Sequence, residues 1–223
     1  MSSTATPSSE FQISIPMSLT LLGRATSANV QKVLWLLDEM QLTAERIDIG
    51  GAFGGNREPD YLRMNPNGVV PTLRDGDRVV WESNTILRYL ATTRGPTPLY
   101  PVDAFERSQV ERWMDWQLGS LNTPSTPLFW GMIRTPPEQR DLAAIEQHRL
   151  KTQQWLTILD GALADRRFAA SDAFSLADIA IGAQVHRWFA MPIERAALAN
   201  LERWYRDMQE RPAFMTHVKI PLS

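Results

Sequence analysis

The chain has 223 residues, of which 43% are hydrophobic, enough for one large domain or two small ones around a buried core. A formal net charge of -2 and an isoelectric point near 6.0 leave no electrostatic footprint for nucleic acid or an anionic membrane, so neither partner is expected. The count of cysteines is zero, which excludes disulfides, thiolate metal sites and a protein-borne redox thiol.

The first sixteen residues, MSSTATPSSEFQISIP, are polar and lack the basic start and apolar core of a secretory signal. They read as a disordered tail, which leaves Met17 open as the functional start. No apolar run approaches the ~20 residues needed to cross a bilayer, and the chain reads as cytoplasmic.

Ser18 to Leu22 is a short apolar run ending at Gly23 and predicts a first strand. The loop Arg24-Ala25-Thr26-Ser27-Ala28-Asn29 follows and feeds a helix whose Val30, Val33, Leu34, Leu37 and Met40 recur at helical spacing, with Trp35 and Leu36 widening the stripe. The loop therefore sits at a helix N-terminus, where unpaired N-H groups and the helix dipole attract anions. Ala44 to Ile49 predicts a second strand. The glycine-rich Gly50 to Asn56 matches neither GxGxxG nor the Walker spacing, and reads as a lid or connector.

Pro59 to Met64 predicts one helical turn, and Asn65-Pro66-Asn67-Gly68 a tight turn. Val69-Val70-Pro71-Thr72-Leu73 then has strand composition with a proline inside it, and that proline cannot donate a ladder hydrogen bond. Two readings stand. Either Pro71 opens the strand in the cis form, at roughly 0.5 to 1 kcal/mol, leaving the Val70 backbone free to pair with an extended peptide, or it is an edge-strand proline in trans without a ligand. Asp75-Gly76 predicts a hairpin with Arg78 to Trp81 returning. Ile86, Leu87 and Leu90 mark a helix starting near Ser83, which is a helix cap or a binding hydroxyl, while Glu82 is a solvated strand-end charge or a ligand contact. This order of elements is an α/β layer with one sheet.

Gly95 to Pro101 holds three prolines and reads as a linker. No strand signal follows it. Helices are predicted over Asp103 to Leu121, broken by Pro124 and Pro127, over Pro137 to Leu163, from Ser175, and over about Glu194 to Glu210, stopped by Arg211-Pro212. At the third of these, Ser175 with Asp178 forms a capping box and Phe174 with Ile179 a staple. His148, His186 and His217 are far apart and show no metal spacing, so no metal is assigned.

Taken in order, NPNGVVPTL, then Trp81 to Leu90 (WESNTILRYL), then FSLADIAIGAQVHRW in an all-helical second half resemble the soluble glutathione transferases, from Met17 to nearly the end. The resemblance implies a thioredoxin-like α/β domain over 17–94 that binds glutathione as co-substrate, a linker over 95–102, an all-α domain over 103–223 behind the 1–16 tail, and a homodimer. It implies that Val70 pairs by backbone with the cysteinyl unit, with Pro71 setting its geometry. It implies too that Ser83 takes the γ-glutamyl carboxylate and that Glu82 faces the ammonium.

Catalysis requires a thiolate, because a free thiol with a pKa of about 8.5 is mostly protonated at neutral pH. The family's tyrosine version is missing, since the first tyrosine is Tyr61, and its cysteine version is impossible. Along SANVQKV the chain resembles the serine-type classes at Ser27, and bacterial and fungal members at Asn29, with Thr26 a third candidate and helix capping the alternative role for Ser27. The second substrate is expected to meet the sulfur from the helical half, where Trp113, Trp116, Phe129 and Trp130 are aromatic candidates or ordinary core; Arg134, a lone cation beside a break, is a contact for a glutathione carboxylate or a second glutathione, or a solvated arginine. The leading function is addition of the glutathione thiolate to small, hydrophobic electrophiles. Glutathione-dependent disulfide reduction and a non-catalytic binding protein of the same fold are the alternatives.

Overall fold

The computed structural model describes residues 19–222, so the expectations for the tail, for Met17 and for Ser18 lie outside the described residues. β1 (Leu19–Leu22) pairs in parallel with β2 (Ala44–Ile47) and antiparallel with β3 (Thr72–Asp75), which pairs antiparallel with β4 (Arg78–Trp81), giving the order β2-β1-β3-β4. α1 (Ala28–Glu39), the six-residue α2 (Pro59–Met64) and α3 (Ser83–Thr93) complete a thioredoxin-like layer. The remainder is helical: α4 (Ala104–Trp116), α5 (Asn122–Phe129), α6 (Leu142–Ala162), α7 (Leu176–Ala190), α8 (Ala199–Gln209) and α9 (Pro212–His217).

The departures from the predicted elements have local causes. Register pairs Asp75 with Arg78, so the two-residue hairpin loop is Gly76-Asp77, one residue later than Asp75-Gly76 suggests. Asp75 stays in the strand because its carboxylate is buried, accepting from the Tyr89 hydroxyl at 2.7 Å and pairing with Arg94 at 2.5 Å. Pro124 and Pro127 do not break the chain into separate helices. The five-residue π turns Gln117–Leu121 and Trp130–Arg134 join α4 to α5 and extend it, and the carbonyl that the Pro124 ring would meet, that of Ser120, lies in the widened first turn.

α6 begins at Leu142, with the Asp141 side chain accepting from Ala144 N at 3.0 Å. Pro137 starts only a 3-10 turn. α8 likewise begins at Ala199, and Pro212, expected to end the chain's helices, opens α9 at a first-turn position where its missing N-H has no partner to lose.

α1 is the element on which both halves pack. Its Trp35 is fully buried, 5.7 Å from the Phe174 ring and 5.0 Å from the Phe214 ring. A Cβ at Gly182 of α7 would come within 2.5 Å of Trp35, so only glycine lets the two helices approach this closely. At the end of α1, Glu39 receives Nε and Nη2 of Arg211 at 2.8 and 2.6 Å. The capping box at α7 forms as predicted, and Asp178 extends it by accepting from Ala169 N and Trp204 Nε1, both at 2.9 Å.

Candidate active site

The N-terminus of α1 opens onto a cleft of about 300 Å³ between the sheet layer and the helices. Ser27 occupies the N-cap position in extended conformation, yet its side chain makes no capping hydrogen bond. Its backbone is held instead, with Ser27 N donating to Arg24 O at 3.1 Å and Ser27 O accepting from Gln31 N at 2.8 Å. The residue is 8% exposed and lines the cleft. Asn29, the second helical residue, is exposed and lines the same cleft, whereas Thr26 does not. The first turn of α1 contains no acid, so nothing in the helix itself neutralises the positive end of its dipole.

Opposite Ser27 runs the stretch from Gly68 to Val70. The Val70-Pro71 bond is cis, in keeping with the first of the two readings. Among the described residues no backbone hydrogen bond involves Val70. The turn before it is held by two side chains, Asn65 of the turn itself and Tyr61, to which the sequence reading gave no role. The Tyr61 hydroxyl donates to Val69 O at 2.6 Å and lies 2.9 Å from Thr72 Oγ1; Asn65 Nδ2 donates to the same two oxygens at 2.8 and 3.1 Å. Gly68 has φ +62, and a Cβ there would meet Arg57 Nη1 at 2.6 Å, which accounts for glycine in the turn.

Glu82 and Ser83 are not among the residues that line this cleft. Glu82 takes the N-cap position of α3 with φ 70, a left-handed conformation that a non-glycine residue holds only where its surroundings impose it. Ser83 is then the first helical residue, not the cap, and is 5% exposed. Its N-H is among those a helix start leaves without an internal partner.

Behind this pair lies a group the sequence reading missed. Lys32 is fully buried, donating to Gln117 Oε1 at 2.7 Å and Asn84 Oδ1 at 3.3 Å, while Asn84 Nδ2 donates to Met114 O at 2.8 Å. Burial pulls the Lys32 ammonium down to about 7; the Glu82 carboxylate opposes that shift and Arg187 adds to it. The available signal was α1 itself, whose Trp35 and Leu36 beside the main stripe mean that more than one face is covered.

Four arginines line the cleft, Arg24, Arg57, Arg134 and Arg187, and no Asp or Glu does. Arg134, expected as a lone cation, is one of this set. The Arg187 guanidinium sits 3.9 Å above the Phe129 ring, and burial first, then Arg134 and Arg24, pull its pKa down to about 9. Of the four aromatic candidates, only Trp130 faces the cleft; Phe129 is buried, and Trp113 and Trp116 pack on each other at 5.0 Å. The cleft thus offers an uncommitted hydroxyl, an open peptide edge, a helix N-terminus and a strongly cationic wall. Among the described residues no group of three or more His, Asp or Glu is placed to hold a metal.

The family model described as "Glutathione S-transferase, N-terminal domain" matches residues 17–92, and "Glutathione S-transferase, C-terminal domain" matches residues 140–207. Glutathione S-transferase GstB of Escherichia coli (strain K12) is 41% identical over 92% of this chain and 100% of its own. Glutathione S-transferase 3 of Zea mays is 30% identical over 92% of this chain and 95% of its own. A theta class glutathione S-transferase from Xanthomonas axonopodis pv. citri, solved with glutathione bound, superposes with a TM-score of 0.90 at 43% identity, covering 92% of this chain and 99% of that one. With both halves matched in order and the relatives covered almost end to end, the chain belongs to the glutathione S-transferase family.

Proposed function

We propose that this protein joins the glutathione thiolate to small, largely hydrophobic electrophiles, with Ser27 Oγ donating a hydrogen bond to the sulfur. The observation that carries this is Ser27, which stands at the N-cap position of α1, lines the cleft and makes no capping hydrogen bond with its side chain. A donor aimed at a thiolate at a helix N-terminus lowers the thiol pKa by stabilising only the charged form. Asn29 and the α1 N-H groups add to that field.

Glutathione lies extended along Val70, whose N-H and C=O pair with its cysteinyl unit, and Pro71 sets the direction of that edge. The Ser83 hydroxyl and N-H take the γ-glutamyl carboxylate, and Glu82 balances the ammonium beside it. Residues 17–94 form the glutathione-binding domain and 103–223 the all-α domain, joined by 95–102. The working form is a cytoplasmic homodimer. A spectroscopic titration of bound glutathione tests the central point: the thiol should ionise well below its free pKa of about 8.5 in the wild type and move back towards it in Ser27→Ala. An unshifted thiol in the wild type would end this reading.

A further inference from the structure

We infer that the electrophile accepted at this site carries a carboxylate, bound on the helical half by Arg187 with Arg134 beside it. This rests on the transferase reading above and names the substrate class for it.

The argument begins with charge. The cleft wall holds four guanidinium groups and no carboxylate. Bound glutathione, with two carboxylates, one ammonium and a thiolate, brings a net charge of only about -2, and Glu82, outside the cleft wall, answers the ammonium. The arginines also divide by position. Arg24 follows β1, and Arg57 donates to Asn67 O at 3.4 Å beside Gly68, so both flank the Val69-Val70 edge where glutathione lies. They suffice for its glycyl carboxylate and the negative field of the sulfur.

Arg187 and Arg134 come from the opposite wall, on α7 and at the end of the turn after α5, and both guanidinium groups lie over one ring, that of Phe129, at 3.9 and 5.3 Å. Among the described residues Arg187 has no carboxylate ion-pair partner, and the charges that act on it, Arg134 and then Arg24, are of its own sign. Placing a desolvated cation against like charges is unfavourable unless a bound anion compensates. The depressed Arg187 pKa reflects the same situation. Trp130, 53% exposed and on the same wall, offers a flat apolar surface for the body of the substrate. Guanidinium forks bind carboxylates in paired hydrogen bonds, and that geometry favours a carboxylate over a diffuse dipole.

The test compares para-chloro-meta-nitrobenzoate with the benzamide of the same substitution pattern. In both, the thiolate attacks the carbon bearing chlorine; the C-S bond forms, the C-Cl bond breaks, chloride leaves with the bonding pair and the thiol proton passes to solvent. Each kcat/KM is divided by the uncatalysed rate constant with glutathione, which removes intrinsic reactivity. The benzoate should be favoured about tenfold or more, the size of one charge-assisted hydrogen bond, and Arg187→Met should cut that ratio by a similar factor. Calorimetric binding of meta-nitrobenzoate and meta-nitrobenzamide to the wild-type protein saturated with S-methylglutathione reads the same preference without turnover and without a variant.

A normalised ratio of one or less, or equal binding of the two probes, would overturn the inference. A sigmoidal dependence of rate on glutathione would assign the two arginines to a second glutathione and overturn it as well. Failure to conjugate either substrate would strike the transferase reading instead, and the binding comparison would still decide the charge preference.

Discussion

Lys32 Nζ donates to Gln117 Oε1 at 2.7 Å, a buried charged hydrogen bond joining α1 of the sheet layer to the π turn after α4. The same ammonium reaches Asn84, the residue after Ser83, at 3.3 Å. One buried cation therefore ties the start of α3, where the γ-glutamyl end of glutathione is proposed to bind, to the helical half of the molecule.

That cation makes stability depend on pH in a definite direction. The folded pKa of Lys32 is about 7 against an ordinary 10.5, so between these values the unfolded chain binds more protons than the folded one and stability rises with pH. Below the folded value the lysine is charged in both states and the burial penalty acts in full. At about 1.36 kcal/mol per pH unit, the wild type should gain about 2 kcal/mol from pH 7 to 9 relative to Lys32→Met. Urea midpoints at both pH values check this, and parallel pH profiles for the two proteins would refute it.

Ser27→Ala should lower kcat with an aromatic halide about 100-fold, the loss typical of one donor to a developing or fixed anion, while the KM for glutathione changes less than about threefold. Steady-state kinetics at neutral pH give both numbers. Full activity in this variant would move the sulfur contact to Asn29, which lines the same cleft.

Ser83→Ala acts on the other end of the ligand. Removing one hydrogen bond to a carboxylate should raise the KM for glutathione about tenfold with a smaller change in kcat, the reverse of the Ser27 pattern. An unchanged KM would leave the hydroxyl without a binding role.

Asp178→Ala is a test of the fold alone. Its carboxylate accepts from Ser175 N at 3.0 Å and from Ala169 N and Trp204 Nε1, both at 2.9 Å, so truncation strands three donors in the interior. A destabilisation of about 3 kcal/mol or more is expected, read as a lower denaturant midpoint at constant slope. A shift under about 1 kcal/mol would show that water replaces the carboxylate.

Much of the fold is legible in the sequence. The NPNG turn, the hairpin and the Ser175 capping box are short-range devices whose physics is contained in neighbouring residues, and each appears where its residues stand, the hairpin loop one residue later because the burial of Asp75 kept it in the strand. Pro124 and Pro127 misled because a proline's effect depends on the helix around it: a π turn precedes Pro124, and Pro127 is carried inside α5 itself.

The sequence by itself determined the fold class and the family, because turn chemistry and helical periodicity are local and the motifs are contiguous. Only the tertiary structure decided what surrounds them. Lys32 finds Gln117 across 85 positions, and Arg187 meets Arg24 and Arg134 from separate elements. Burial and charge are sums over neighbours, and the neighbours are set by packing. That Ser27 makes no capping hydrogen bond and lines a cleft is likewise visible only in the folded chain.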